Sequence, residues 1–357
     1  MTLWVVKLGT SLLRGDTAAI IQGYAACFSA AMQRGDKVVL VTSGAVGLGC
    51  QRLDLSQRPD DVVALQAAAA IGQGTLMALY ERAMARHGVA VAQVLLTRSD
   101  LADRRRYQNA SGTVRQLLSW GVLPVVNEND AISPAELRFG DNDTLSALVA
   151  SAVDAQQLIL LTDVDRLYSA DPRQDAEARP ITDVHNSSQL ASLAAAAGDG
   201  GRWGTGGMTT KLAAARIATA SGITVHLADG RDPACLEALL QGGRGGTVFH
   251  PHPEPLGNRR SWLAHVLKPE GRLQLDAGAC EALLHRGASL LQVGITAVHG
   301  SFEASRAVTL LDPDGQEIGR GLCSMGSEQL LAMMSASVKA GSSAVVVHRD
   351  CLVLHRD

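Results

Sequence analysis

The chain has 357 residues, of which 46% are hydrophobic and 19% charged, with a formal net charge of −3. That length predicts two domains. The composition excludes a disordered chain, and the charge excludes a global basic footprint for nucleic acid.

In chain order, LWVVKL (Leu3–Leu8) predicts a buried parallel strand that turns at Gly9-Thr10-Ser11. Lys7 sits near its end, where an ammonium in an apolar strand is costly unless it is paired or used. Asp16–Arg34 predicts a helix stopped by Gly35. KVVLV (Lys37–Val41) predicts a second buried strand, followed by the small residues Thr42-Ser43-Gly44-Ala45. Asp61–His87 predicts one or two helices interrupted around Gly72 and Gly74. Val89–Leu96 predicts a third strand and Tyr107–Trp120 a helix. Val122–Val126 predicts a fourth strand, followed by Asn127-Glu128-Asn129-Asp130. Ile132–Phe139 reads as a hairpin strand. Gly140-Asp141-Asn142-Asp143-Thr144 then opens a helix over Leu145–Ala155; Asp and Asn are good N-caps, which accounts for one of them, and capping does not need all three. Gln157–Leu161 predicts a fifth strand, ending in Thr162-Asp163-Val164-Asp165. Ser188–Ala197 predicts a helix that leads into GGRWGTGGMTTK (Gly200–Lys211). A further helix follows, with Lys211 in its first turn, then strand Ile223–Ala228, helix Pro233–Gln241 and strand Gly245–Phe249.

This alternation predicts an α/β fold with a doubly wound, mainly parallel sheet. The polar clusters follow strand C-terminal ends, so they converge on one edge of the sheet, where open α/β sheets bind ligands. HPHPEPLGNRR (His250–Arg260) reads as a linker, with three prolines in eleven residues. His250 and His252 read as solvated there rather than as ligands. Beyond it, short segments separated by turns predict a small β-rich domain with helices near Gly278–Arg286 and Ser327–Met334. Its strands are expected at Arg272–Leu275, Ser289–Gln292, Ala307–Leu311, Glu317–Cys323 and Ala344–His348. The expected domains are 1–253, a linker over 254–267, and 268–357. The six scattered cysteines form no C-x-x-C pair, which predicts no disulfide framework or zinc site and favours a reducing cytoplasm. No segment reads as long and apolar enough to span a membrane.

The stretch Gly200–Lys211 offers backbone N–H groups and a helix N-terminus to an anion, with Lys211 as a point charge. It is not a Walker A loop, because it lacks Gly-Lys-Ser/Thr and follows a helix. Gly9-Thr10-Ser11 does not supply a dinucleotide fingerprint, and protein-kinase signatures are absent. What remains is two lysines far apart in sequence, Lys7 and Lys211, with acidic residues between them at one sheet edge. That set suits phosphoryl transfer, which needs positioning and charge neutralisation rather than a covalent nucleophile.

VVKLGTSLL, VTSGAVGLG, LLTR, PVVNEND, FGDNDTLSA, LLTDVDRLYSADPR and GTGGMTTKLAAA resemble, in that order, the motifs of the amino acid kinase family. The C-terminal segment resembles the PUA domain that many bacterial members carry. VTSGA, NEND and GDND together resemble the members that phosphorylate glutamate. The resemblance implies transfer of the ATP γ-phosphoryl group to the γ-carboxylate of L-glutamate, giving L-glutamyl 5-phosphate, the first step of proline biosynthesis. The alternative is another carboxylate kinase of the family, such as an N-acetylglutamate kinase. By motif matching, Lys7 sits on the γ-phosphoryl side and Lys211 stabilises the leaving phosphates. Ser43, Asp130 and Asn142 match glutamate-binding positions, with Asp130 suited to the α-ammonium and Ser43 and Asn142 to carboxylate. Lys7, Thr162, Asp163, Thr205, Gly206, Gly207, Met208, Thr209, Thr210 and Lys211 match nucleotide-binding positions. Asp141 and Asp143 are the candidates for orienting the lysines or holding Mg2+, with Asp143 grouped with the two lysines as catalytic. The family also implies homodimers or homotetramers, and feedback inhibition by proline at or near the glutamate site. Arg138 stands where the family pattern has lysine, and Trp203 lies inside the phosphate loop. From Val266 to Asp357 there are eight basic and ten acidic side chains, which predicts no tight RNA binding despite the PUA-like module. No membrane partner is expected.

Overall fold

The computed structural model describes the chain except residues 14, 134–141, 171, 173, 174, 176, 199–205, 258–262, 264–266, 268, 336–343 and 355–357. It divides into two compact units, Met1–Pro255 and Leu256–Asp357.

The first unit is built on strands β1 (Leu3–Leu8), β2 (Lys37–Val41), β3 (Val91–Leu96), β4 (Leu123–Glu128) and β5 (Gln157–Thr162). A small hairpin, β6 (Leu167–Tyr168) with β7 (Pro180–Ile181), follows, then β8 (Asp183–Val184), β9 (Thr224–Asp229) and β10 (Thr247–Phe249). The main sheet has eight strands in the order β3-β4-β2-β1-β5-β9-β10-β8. β1, β2, β3, β4, β5 and β9 run parallel, β10 is antiparallel to β9, and β8 runs parallel to β10. The mainly parallel doubly wound sheet is therefore present, and its antiparallel edge is an addition to the sequence reading.

The helices are α1 (Thr17–Gln33), α2 (Ala45–Arg52), α3 (Val62–Ala85), α4 (Arg98–Ala102), α5 (Arg104–Ser119), α6 (Asn142–Val153), α7 (Ser187–Gly198), α8 (Gly206–Ala220) and α9 (Pro233–Leu240). α1 starts where the Asp16 carboxylate accepts from Ala19 N at 3.0 Å and ends at Arg34, with Gly35 at φ +92°. Strand alternation gives β1 two faces. Trp4, Val6 and Leu8 enter a core with Tyr24, Phe28, Leu76 and Tyr80. Val5 and Lys7 face the other way, toward α6, which packs on β1 and on α8. α6 is buried along its length, so it is apolar and small-residued all round rather than amphipathic.

Two expectations need correction, and a third lies almost wholly outside the described residues. Asp61–His87 is not interrupted: α3 is one continuous helix through Gly72 and Gly74. Those glycines serve packing, because a Cβ at Gly72 would overlap Ala45 O on α2 and one at Gly49 would overlap Ala68 O on α3. In consequence α3 is long and apolar enough to cross a membrane by length and composition alone. Here it packs on α2 and α1. His250 is not simply solvated either. It follows β10 and contacts Asp183 at 2.8 Å. The hairpin strand expected at Ile132–Phe139 falls almost wholly outside the described residues; Ile132 itself is in a turn.

The second unit has a five-stranded sheet, β13-β11-β14-β15-β17, formed by β11 (Gly271–Leu275), β13 (Ile295–His299), β14 (Ala307–Leu311), β15 (Glu317–Leu322) and β17 (Leu352–Leu354). β12 (Leu290–Leu291) pairs with β16 (Val345–Val347). Helices α10 (Ala277–Arg286) and α11 (Ser327–Ser335) accompany a separate core that includes Leu273, Leu283, Leu310 and Leu330. The sequence reading omitted β13 and β17.

Candidate active site

Because β1, β2, β4 and β5 are parallel, their C-terminal ends share one edge. The segments after β1 and β2, the turn after β4 and the start of α6 meet there. Lys7 is 4% exposed and Asp143 fully buried. The Lys7 ammonium pairs with Asp143 Oδ1. The Lys211 ammonium pairs with Asp143 Oδ2 at 3.0 Å and donates to Gly207 O at 3.1 Å. Thr210 also donates to Asp143 Oδ2, at 3.0 Å. Lys211 lies in the second turn of α8, not the first, because Gly206 and Gly207 are already helical. One buried carboxylate thus holds two ammonium groups from opposite ends of the unit's sequence, and the trio keeps a net charge of +1. Such a surplus beside a helix N-terminus fits an anion. Glycine 9 adds to the fit: a Cβ there would stand 3.6 Å from Lys7 Nζ and from Leu161 O, so its absence leaves the backbone open beside the ammonium. Asp143 lies in the first turn of α6, yet its oxygens face the lysines, so it does more than favour the helix dipole.

Its neighbour Asn142 organises a second, uncharged set. Asn142 Nδ2 lies 2.5 Å from Thr42 O, 2.8 Å from Asn127 Oδ1 and 2.9 Å from Ser43 Oγ. Asn127 Nδ2 in turn donates to Gln73 Oε1 on α3 at 2.9 Å. Two of Asn142's neighbours are acceptors, so its two N–H hydrogens are used on them. Its Oδ1 is buried with no hydrogen-bond partner among the described residues. A buried orphan acceptor of this kind fits a donor from a ligand. That differs from the sequence reading, which gave Asn142 a donor's role toward carboxylate. Ser43 precedes Gly44, whose φ of +103° is open to glycine and strained for other residues, and α2 starts directly after it. Asp130 is half-buried in the turn that follows β4.

Thr162 ends β5, is 5% exposed and donates to the Asp163 carboxylate at 3.1 Å; Asp163 is exposed. Met208, Thr209 and Thr210 lie on the first turns of α8. Thr205, Asp141, Arg138 and Trp203 lie outside the described residues. Sequence reasoning missed Gln73 and gave Asn127 no role. The signal for Asn127 was a polar residue at the end of an apolar strand: β4 runs on to Glu128, and Asn127 is only 1% exposed. Gln73 gave no signal beyond standing between two glycines. The pair Asp229–Arg231, bonded at 2.5–3.1 Å, was also missed; Asp229 sits beside Thr162 in the sheet register. Arg231 donates to Asp229 and holds its carboxyl below the usual range.

The amino acid kinase family model matches residues 2–229. The chain belongs to the amino acid kinase family. A PUA domain model matches residues 271–341 of this amino acid kinase. Among its relatives is the glutamate 5-kinase of Synechococcus sp. (strain CC9605), 80% identical over 354 residues and covering 99% of each chain. The glutamate 5-kinase of Synechococcus sp. (strain CC9902) is 78% identical over 354 residues, again with 99% of each chain covered. That of Prochlorococcus marinus (strain MIT 9313) is 70% identical over 358 residues with the same coverage. Among solved structures, the carbamate kinase from Giardia lamblia bound to AMP-PNP aligns with a TM-score of 0.52 at 19% identity, covering 70% of this chain and 99% of that one. At that identity the likeness concerns the fold.

Proposed function

We propose that this amino acid kinase transfers the γ-phosphoryl group of ATP to the γ-carboxylate of L-glutamate, giving L-glutamyl 5-phosphate and ADP, as the first step of proline biosynthesis. The observation that carries the reading is the Lys7–Asp143–Lys211 trio at the sheet edge, beside the Asn142–Ser43 pair. Full-length identity to glutamate 5-kinases supports the choice of acceptor.

In this reading a γ-carboxylate oxygen attacks the γ-phosphorus in line, and the bond to the β–γ bridging oxygen breaks. No proton must be removed, since the acceptor is already ionised. No protein nucleophile is needed. Lys7 neutralises charge on the transferred phosphoryl, and Lys211 neutralises it on the leaving phosphates. Asp143 keeps both ammonium groups in place as a positioning residue. Thr162, Asp163 and the segment Thr205–Lys211 hold the nucleotide. Mg2+ bound with the nucleotide would supply further neutralisation there. Of its two candidate carboxylates, Asp143 is already occupied by lysines. Asp130 and the free Asn142 Oδ1 are both acceptors, which suits the α-ammonium of glutamate, and Ser43 supplies a hydroxyl for a carboxylate. Proline presents an ammonium and a carboxylate on one carbon too, and on that ground we place its feedback site at or near this one.

The same reading includes a cytoplasmic enzyme, in keeping with six free cysteines, that forms homodimers or homotetramers. The PUA-like unit is given a role in assembly or regulation rather than tight RNA binding, because of its acidic excess. The deciding assay is ADP release, or hydroxamate formation, with L-glutamate against N-acetyl-L-glutamate at equal Mg·ATP. Turnover of glutamate is expected; turnover of the acetylated substrate alone would reassign the enzyme to the acetylglutamate kinases.

A further inference from the structure

Asp183, His185 and His250 lie together on β8 and just after it and β10, away from every residue given a role above. We propose that they form a binding site for one divalent transition ion of the zinc class (Zn2+, Co2+ or Ni2+), distinct from the Mg2+ of the nucleotide.

The backbone builds the triad. β8 and β10 are parallel, with Asp183 opposite Val248 and Val184 opposite Phe249. His250 N continues the ladder by donating to Val184 O at 2.9 Å, so His250 comes opposite His185. Alternation puts Asp183 and His185 on one face of β8, and the parallel register puts His250 on the same face. The three potential ligand atoms all lie within 4.8 Å of one another. His250 Nε2 is 2.8 Å from Asp183 Oδ1. The two imidazoles stack with centroids 4.4 Å apart and planes 13° apart. Tetrahedral zinc with N and O ligands at ~2.0–2.1 Å holds its ligand atoms about 3.4 Å from one another. Modest turns of three side chains reach that spacing, without moving the strands.

The donor set selects the ion. Two imidazoles and one carboxylate suit Zn2+, Co2+ and Ni2+, whereas Mg2+ prefers oxygen ligands and its own waters. The contact between His250 Nε2 and the Asp183 carboxylate already orients both side chains toward one point. The side chains of His250 and Asp183 are 38% and 33% exposed, and His185 is exposed, so an ion enters from solvent and retains water at its open positions. The place is also separate from the phosphoryl site. β10 runs antiparallel to β9, so the C-terminal ends of β8 and β10 lie at the opposite edge of the sheet from those of β1 and β5. A bound ion would clip β8, which feeds α7, to the strand that closes the first unit.

The test uses the full chain, stripped with chelator and titrated with Co2+ without nucleotide. We expect one Co2+ per chain at micromolar free metal, with a visible spectrum of nitrogen and oxygen ligation and displacement by Zn2+. His185→Ala, an exposed and structurally mild change, and Asp183→Asn should each weaken binding at least ~10-fold. Zn2+ should raise the Tm of the unaltered chain but not of His185→Ala, and ADP release should be the same in both. No stoichiometric binding, equal affinity in the variants, or a thiolate-to-cobalt band marking the cysteines as ligands would each overturn the proposal.

Discussion

Asp143 has two oxygens and meets two ammonium groups with them, and that single side chain converts two distant lysines into one site. Lys7→Ala and Lys211→Ala are each expected to lower kcat by roughly 100-fold or more, since in the proposed reaction each neutralises charge that develops in the transition state. Near-normal turnover in the ADP-release assay would remove that lysine from the reaction. Asp143→Asn should destabilise the fold by roughly 3–5 kcal/mol, because it breaks a buried ion pair shared by two ammonium groups. Mg·ATP should restore part of the lost Tm by supplying negative charge, a rescue that a purely structural defect would not show. Asp130→Ala should mainly raise the KM for glutamate and leave that for ATP nearly unchanged. His226, on β9, reports on stability instead. Burial pushes its pKa from 6.5 down to about 4, and its Nε2 donates to Gln157 Oε1 at 2.8 Å. The unfolded chain therefore binds the extra proton first, so the protein is most stable above pH 6.5 and loses stability as pH falls toward 4. The loss is about 3 kcal/mol at its fullest. Urea midpoints measured across that window should fall less steeply in His226→Gln.

At the level of elements, the proposed glutamate side of the site depends on how α2 sits against α3. Ala45 begins α2 directly after Ser43 and Gly44, and Gly72 on α3 leaves no room for a Cβ beneath Ala45 O. Gly72→Ala should therefore cost about 1–3 kcal/mol by overpacking and raise the glutamate KM by displacing Ser43. Gly74→Ala, where nothing lies within 4 Å of the added Cβ, should instead stabilise the same helix by about 0.5–1 kcal/mol. Equal effects of the two substitutions, in urea unfolding, would contradict this account of the packing. The contrast also explains why α3 was misread as interrupted. A glycine that allows helices to touch and a glycine that breaks a helix are the same letter, and only the neighbour across the contact separates them. The central parallel strands and α1 were legible, because buried parallel strands are continuous apolar runs and Asp16 and Gly35 mark helix ends chemically; short elements such as β8 and β17 carry too few residues to show a pattern.

For the whole molecule, the exposed apolar side chains of α3 bear on the proposed assembly. α3 packs on β3 and leaves Val63 69%, Val62 37% and Ile71 37% exposed, while β3 is the terminal strand. Exposed apolar side chains on one helix are the kind of surface that a second copy covers. Light scattering should give a dimer or larger, and Val63→Asp should shift it toward the monomer. A monomer in the unaltered protein at micromolar concentration would reject the proposed homo-oligomer. Binding to tRNA should stay weak; submicromolar affinity with a steep salt dependence would restore an RNA role to the second unit.

The sequence by itself determined the α/β alternation, the turn to a β-rich C-terminal module, and the placement of Lys7, Ser43, Asp130 and Thr162 at or just beyond strand ends. These follow from periodicity and from residue types that need particular local backbone, and such signals act over a few residues. The motifs then carried the family resemblance. Only the tertiary structure decided that Asp143 bridges Lys7 and Lys211, that Gln73 and Asn127 stand behind Asn142, and that Asn142 spends its N–H groups on Thr42 and Asn127 and leaves Oδ1 without a partner among the described residues. It alone brought His250 to Asp183 and His185. Each of these joins residues tens to hundreds of positions apart, and such pairing is set by strand order and helix packing, which no local pattern encodes.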